Sequence, residues 1–136
     1  MIVSDTVKGY LARSPRINVL STSSNGGEAN VAMFGSPVLV DDSTVMIMLS
    51  ENRTYANLLE NPQAALLVVM PGTSGMQTEG CRLYLKVRTI ENNGPAFDTM
   101  KAAIKARVGD SADILKHLVV FNVEETRPVV DMGQGI

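Results

Sequence analysis

Residues 50–69 read SENRTYANLLENPQAALLVV, a very short helix wedged between two apolar strands. Asn61-Pro62 stops the helix, because the residue before a proline is driven out of the helical region. The helix is therefore predicted over roughly 52–60, with Tyr55, Leu58 and Leu59 turned inward, and QAALLVVM (63–70) follows as a strand. Its first turn is crowded with Ser50, Asn52, Arg53 and Thr54. A helix N-terminus exposes unpaired backbone N–H groups and the positive end of the macrodipole. Hydroxyls, amides and a guanidinium around it suit a dianionic phosphate, Arg53 forking onto two oxygens while Thr54 and the amides fill the rest. The same residues also describe a plain cap, with Ser50 or Asn52 closing the helix and Arg53 a solvated charge. Residue types alone leave both readings open.

Upstream, SDTVKGYLAR (4–13) predicts a helix capped by Ser4 or Asp5, with Val7, Tyr10 and Leu11 on one face, ended by Pro15. INVLSTS (17–23) reads as a strand and NGG (25–27) as a hairpin turn. The returning strand, EANVAMFGSPVLV, places Asn30, Ala32, Phe34 and Ser36 on one face and Val31, Met33 and Gly35 on the other. Asp41-Asp42-Ser43 is a second turn before the apolar strand TVMIMLS (44–50). Downstream, PGTSG (71–75) opens a loop to about Gly80. CRLYLKVRTI then sets Leu83, Leu85, Val87 and Thr89 against Arg82, Tyr84, Lys86 and Arg88, one face buried and one wet. Asn92-Asn93-Gly94-Pro95 opens a helix carrying Phe97, Met100, Ile104 and Val108 at helical spacing, and Gly109 ends it. HLVVFNV (117–123) is a last strand, and the tail from about 125 is expected to be loosely structured.

Hairpin-length joins between most neighbouring strands predict a mainly β fold. About six strands, largely antiparallel and closing on themselves, are expected to make a small barrel with two to three short helices, in a single domain over 1–136. TVMIMLS and AALLVVM are apolar on both faces. A barrel interior covers one face, and a second copy of the chain is expected to cover the other.

Composition narrows the function. The chain is mildly acidic, with a formal charge of −2 and 4 % aromatic residues, which disfavours nucleic acid as a partner. No apolar run approaches the roughly 20 residues that span a bilayer, and the N-terminus lacks the apolar core of a signal peptide. With a single cysteine, Cys81, this points to the reducing cytoplasm. Cys81 reads as a small buried apolar residue. One cysteine and one histidine, His117, give no metal-ligand cluster, so no metal site is expected.

The order NGGEANVAMFGSP, then SENRTYANLLENPQAALLVV, resembles the FMN-binding split-barrel family, the flavoproteins grouped around pyridoxamine 5′-phosphate oxidase. The motifs are Asn30-Val31-Ala32, Arg53-Thr54, Asn57-Leu58 and Asn61-Pro62, and the likeness covers roughly residues 10–124. It implies a homodimer carrying FMN in the dimer groove. Arg53 and Thr54 match the residues that hold the FMN phosphate. Ser50, Glu51 and Asn52 match the segment beside the ribityl chain and flavin ring. Asn30, Val31, Ala32, Met33 and Phe34 match the strand whose backbone lines the isoalloxazine. Gly80, Cys81 and Arg82 would approach a flavin held mainly by the partner subunit. The chain departs from the true oxidase in being shorter, lacking tryptophan, and offering no Arg–His pair for pyridoxal phosphate. The expected function is thus an FMN-dependent oxidoreductase with a small-molecule or protein electron donor and no assigned catalytic residue. The alternatives are a non-catalytic electron carrier, a split barrel holding a deazaflavin or haem, and a cofactor-free binding domain.

Overall fold

A computed structural model describes residues 1–136. Ser4 caps helix α1 (Asp5–Ala12), its hydroxyl accepting the Val7 N–H at 3.3 Å. Strands β1 (Ile17–Ser23) and β2 (Ala29–Met33) form the first hairpin, followed by β3 (Val38–Leu39) and β4 (Thr44–Leu49). Helix α2 (Arg53–Glu60), β5 (Gln63–Val69), β6 (Gly80–Glu91), α3 (Pro95–Val108) and β7 (His117–Pro128) complete the chain, with 3-10 turns at Gly75–Gln77 and Gly109–Ile114.

All pairings are antiparallel, in one seven-stranded sheet of order β2-β1-β5-β6-β7-β4-β3. The edge strands β2 and β3 are sequence neighbours joined only by residues 34–37. Flat, seven strands at ~4.8 Å spacing would hold the edges about 29 Å apart. The link reaches less than ~20 Å, so the sheet must curl into a barrel left split between β2 and β3.

The expected continuous strand 28–40 is broken here because Pro37 has no N–H for a ladder. The bend is tied down on both sides. Asn18 accepts the Phe34 N–H at 3.0 Å and donates its side-chain amide to the Phe34 carbonyl at 3.1 Å. Arg16 donates to the Pro37 carbonyl at 2.7 Å. On the β4 side of the bend, the buried Ser36 hydroxyl accepts the Met48 N–H at 3.4 Å and lies 3.5 Å from the Met48 carbonyl, continuing the β3–β4 ladder by a side chain.

Inside the barrel, Leu20, Val45, Ile47, Leu66, Leu83 and Phe121 form the core, closed by Val7 and Leu11 of α1 and Leu58 of α2. A second cluster lies outside: Met48 of β4 and Leu118 and Val120 of β7 pack on Phe97 and Ile104 of α3. The cover sought for the outer face of β4 is thus supplied by this chain. The outer face of β5 (Ala65, Leu67, Val69) stays half-buried.

Three local expectations change. Strands number seven, not six, since the bend at 34–37 divides one strand in two. The segment 125–128 is strand, because the long β6 pairs Tyr84 with Glu125 through Cys81 with Pro128. In α2 the inward face is Thr54, Asn57 and Leu58, whereas Leu59 is 61 % exposed.

Candidate functional site

The start of α2 gathers most of the residues singled out in the sequence. Asn52 is the cap, its side-chain oxygen accepting the Tyr55 N–H at 2.8 Å, while its amide donates to Ser50 Oγ at 3.3 Å. The amides of Arg53 and Thr54 have no acceptor within the helix. Arg53 is exposed and forms no ion pair. It borders an open polar cleft of ≈ 530 Å³, with Ser24, Glu28, Glu51, Asn52 and Asn57 also in its wall.

Thr54 is buried behind this turn, where its hydroxyl accepts the Asn30 amide at 3.4 Å. Asn57 donates to Thr22 Oγ1 at 3.1 Å. These bonds explain why α2 turns a polar face inward: it lies on β1 and β2 through hydrogen bonds as well as through Leu58.

Glu51 is held by a residue that sequence reading left out of the site. His117 Nε2 lies 2.7 Å from Glu51 Oε1, and Nδ1 lies 2.6 Å from Asn92 Oδ1. Its ring stacks on Tyr55, centroids 3.6 Å apart and planes 3° from parallel. With both nitrogens engaged and the side chain buried, His117 offers no free position to haem iron. The pairing of His117 with Leu49 in the β4–β7 ladder sets it beside segment 50–52.

The remaining predicted residues spread along β2. Ala32 is half-buried on the Asn30 side, while Val31 and Met33 are 67 % and 69 % exposed on the other. Phe34 lies beyond the strand end and packs on the barrel interior. The side chain of Cys81 is wholly buried, and burial pushes its thiol up to about 12, against a weak opposing pull from Arg16. Arg82 donates to the Pro128 carbonyl at 2.9 Å and to Asp131 at 2.5 Å. Arg127 forks onto the same carboxylate at 2.8 and 2.9 Å. Hydrogen bonds from Arg127, then from the Gly133 N–H and Arg82, hold that carboxyl well below the usual range.

The family model described as pyridoxamine 5′-phosphate oxidase matches residues 4–130. The chain belongs to the pyridoxamine 5′-phosphate oxidase family. Among solved structures, the chain is similar in fold to proteins from several organisms. An FMN-binding protein from Syntrophomonas wolfei subsp. wolfei has a TM-score of 0.82 at 22 % identity, over 94 % of this chain and 86 % of that one. HupZ of Group A Streptococcus has a TM-score of 0.76 at 18 % identity, over 94 % of each chain. HutZ, the haem storage protein of Vibrio cholerae, has a TM-score of 0.68 at 17 % identity, over 94 % of this chain and 95 % of that one. No curated protein matches the sequence. For this pyridoxamine 5′-phosphate oxidase family member, no helix is long and apolar enough to cross a membrane.

Proposed function

We propose that the chain binds FMN at the α2 cleft and works as a small flavin-dependent oxidoreductase. One observation carries this: an exposed guanidinium with no carboxylate partner, Arg53, stands beside the unpaired amides of a helix start in an open polar cleft. Arg53 and those amides would take the phosphate. Asn52 fixes the cap, and the Thr54–Asn30 bond fixes the helix against β2. As an edge strand, β2 leaves alternate backbone N–H and C=O groups open over Val31–Met33, available to the polar atoms of the ring. His117 holds the Glu51 carboxylate, which would otherwise oppose an anion in the same cleft. When bound, FMN supplies the acceptance and return of hydride or electrons.

A homodimer that encloses the flavin belongs to this reading, supported by the exposed Val31 and Met33 and the half-buried outer face of β5. The test is a visible spectrum after FMN addition and desalting, where two retained flavin bands are expected. Arg53→Glu should abolish retention with an unchanged far-ultraviolet circular dichroism spectrum. Normal FMN affinity in that variant would remove the phosphate assignment. Loss of the bands on anaerobic addition of NADH, and their return in air, would establish turnover.

A further inference from the structure

At the far end of β2 from Arg53, two cavities meet. One, of ≈ 280 Å³, lies between the 34–37 bend and the end of α3, with Met48, Ile104 and Leu115 in its mainly apolar wall. The other, of ≈ 380 Å³, is bordered by Arg13, Arg16 and Arg107 together with Ser14 and Asn18. Gly35 and Arg107 belong to both walls, so the spaces adjoin. No Asp or Glu lines either one.

The charges there are poorly compensated. Arg13 reaches Glu79 at 3.5 Å, but Arg16 donates only to the neutral Asn18 side chain at 3.0 Å and the Pro37 carbonyl at 2.7 Å. Arg107 forms neither an ion pair nor a side-chain hydrogen bond. Burial, and more weakly the charge of Arg107, holds the Arg16 guanidinium below its ordinary pKa, while Cys81 opposes this. Like charges gathered without a counter-charge are unfavourable, the more notably in a chain of net charge −2. An anion in the cavity would relieve the repulsion.

We propose that the adjoining cavities form one binding site for a small organic anion with an apolar body, its carboxylate at Arg16 and Arg107 and its body against Met48, Ile104 and Leu115. The site stands on its own walls and does not depend on the α2 cleft being an FMN site.

Octanoate is the probe, with methyl octanoate as its uncharged counterpart, titrated calorimetrically into the full chain. Octanoate should bind, and the ester about tenfold more weakly or worse, since a charge-assisted bond is lost. Arg107→Glu should weaken octanoate binding by about tenfold or more while leaving the fold intact, because Arg107 is exposed and unpartnered. Gly35→Val should abolish it. Gly35 lines both cavities, and a Cβ there meets no atom within 4 Å, so the added bulk sits at their junction without straining the bend. Arg53→Glu should leave octanoate binding unchanged, and Arg107→Glu should leave FMN binding unchanged. No octanoate binding, equal binding of acid and ester, or indifference to both Arg107→Glu and Gly35→Val would overturn the site. Competition between FMN and octanoate would overturn it too, by placing the flavin phosphate at these arginines.

Discussion

His117 shows how much of the candidate site depends on a residue outside its cleft wall. Its ring spans from Asn92 to Glu51 and lies flat on Tyr55, joining the α3 entry loop to the segment that begins α2. In His117→Phe the stack survives but Glu51 is left beside the cleft without its partner. Glu51 is largely exposed, so the pair is worth about 1 kcal/mol at most. FMN affinity should fall roughly fivefold, and Glu51→Gln added to that variant should restore it; fluorescence titration of FMN measures both. Cys81 makes a second residue-scale prediction. As the lone thiol it should be silent to a disulfide reagent at pH 8 until the chain unfolds. Folded, it keeps its proton up to about 12, whereas the unfolded thiol ionises near ~8.5. In that window the unfolded state has shed a proton that the folded state keeps, so stability falls as pH rises from about 9. Urea midpoints between pH 8 and 10 should show a flatter slope in Cys81→Ala than in the parent. The place of Arg53 at a helix start was legible because capping and helix-stop signals are local. His117 was not, because its neighbours follow from the β4–β7 register, which no local pattern encodes.

Elements were legible where period and punctuation agreed, and less so where a hydrogen bond replaced apolar contact. The β6 alternation and the Ser4 cap are of the first kind. The inward face of α2 is of the second: apolar pattern turns Tyr55, Leu58 and Leu59 inward, whereas Thr54 and Asn57 join Leu58 there through bonds to Asn30 and Thr22. The end of β7 was obscured because Glu125, Thr126 and Arg127 carry no apolar signal and owe their strand conformation to β6. The break at 34–37 is held by Ser36, whose hydroxyl meets both polar groups of Met48. Ser36→Ala should leave those buried groups unpaired and lower stability by about 1–3 kcal/mol in urea denaturation. At the start of β6, Gly80 has φ 151°, and a Cβ there would lie 1.9 Å from the Val68 carbonyl oxygen. That oxygen belongs to a paired central strand and has little room to move. Gly80→Ala should cost on the order of 3 kcal/mol or more, seen as a large fall in melting temperature.

The whole molecule is a barrel whose two edge strands are neighbours in sequence, with one helix laid over β4 and β7 and another across its polar mouth. That arrangement leaves Val31 and Met33 exposed at an edge. On the dimer reading, sedimentation equilibrium should give twice the 14.6 kDa chain mass. Met33→Asp should shift the population towards single chains and reduce flavin retention with it. The fold class was legible because hairpin-length turns leave few alternatives, whereas the extra cover by α3 became visible only once β4 and β7 were neighbours. The placement of β7 also governs the order in which the chain can fold. The last strand made pairs between β6 and β4, so no earlier strand can complete the sheet. As the polypeptide leaves the ribosome, the β1–β2 hairpin and the β3–β4 hairpin each form early, yet β4 keeps one bare, apolar flank until residues 117–123 emerge. Such late, long-range closure implies a high contact order and slow folding. The nascent chain would be most prone to aggregate, and most in need of a holding chaperone, in the interval just before its final strand is synthesised.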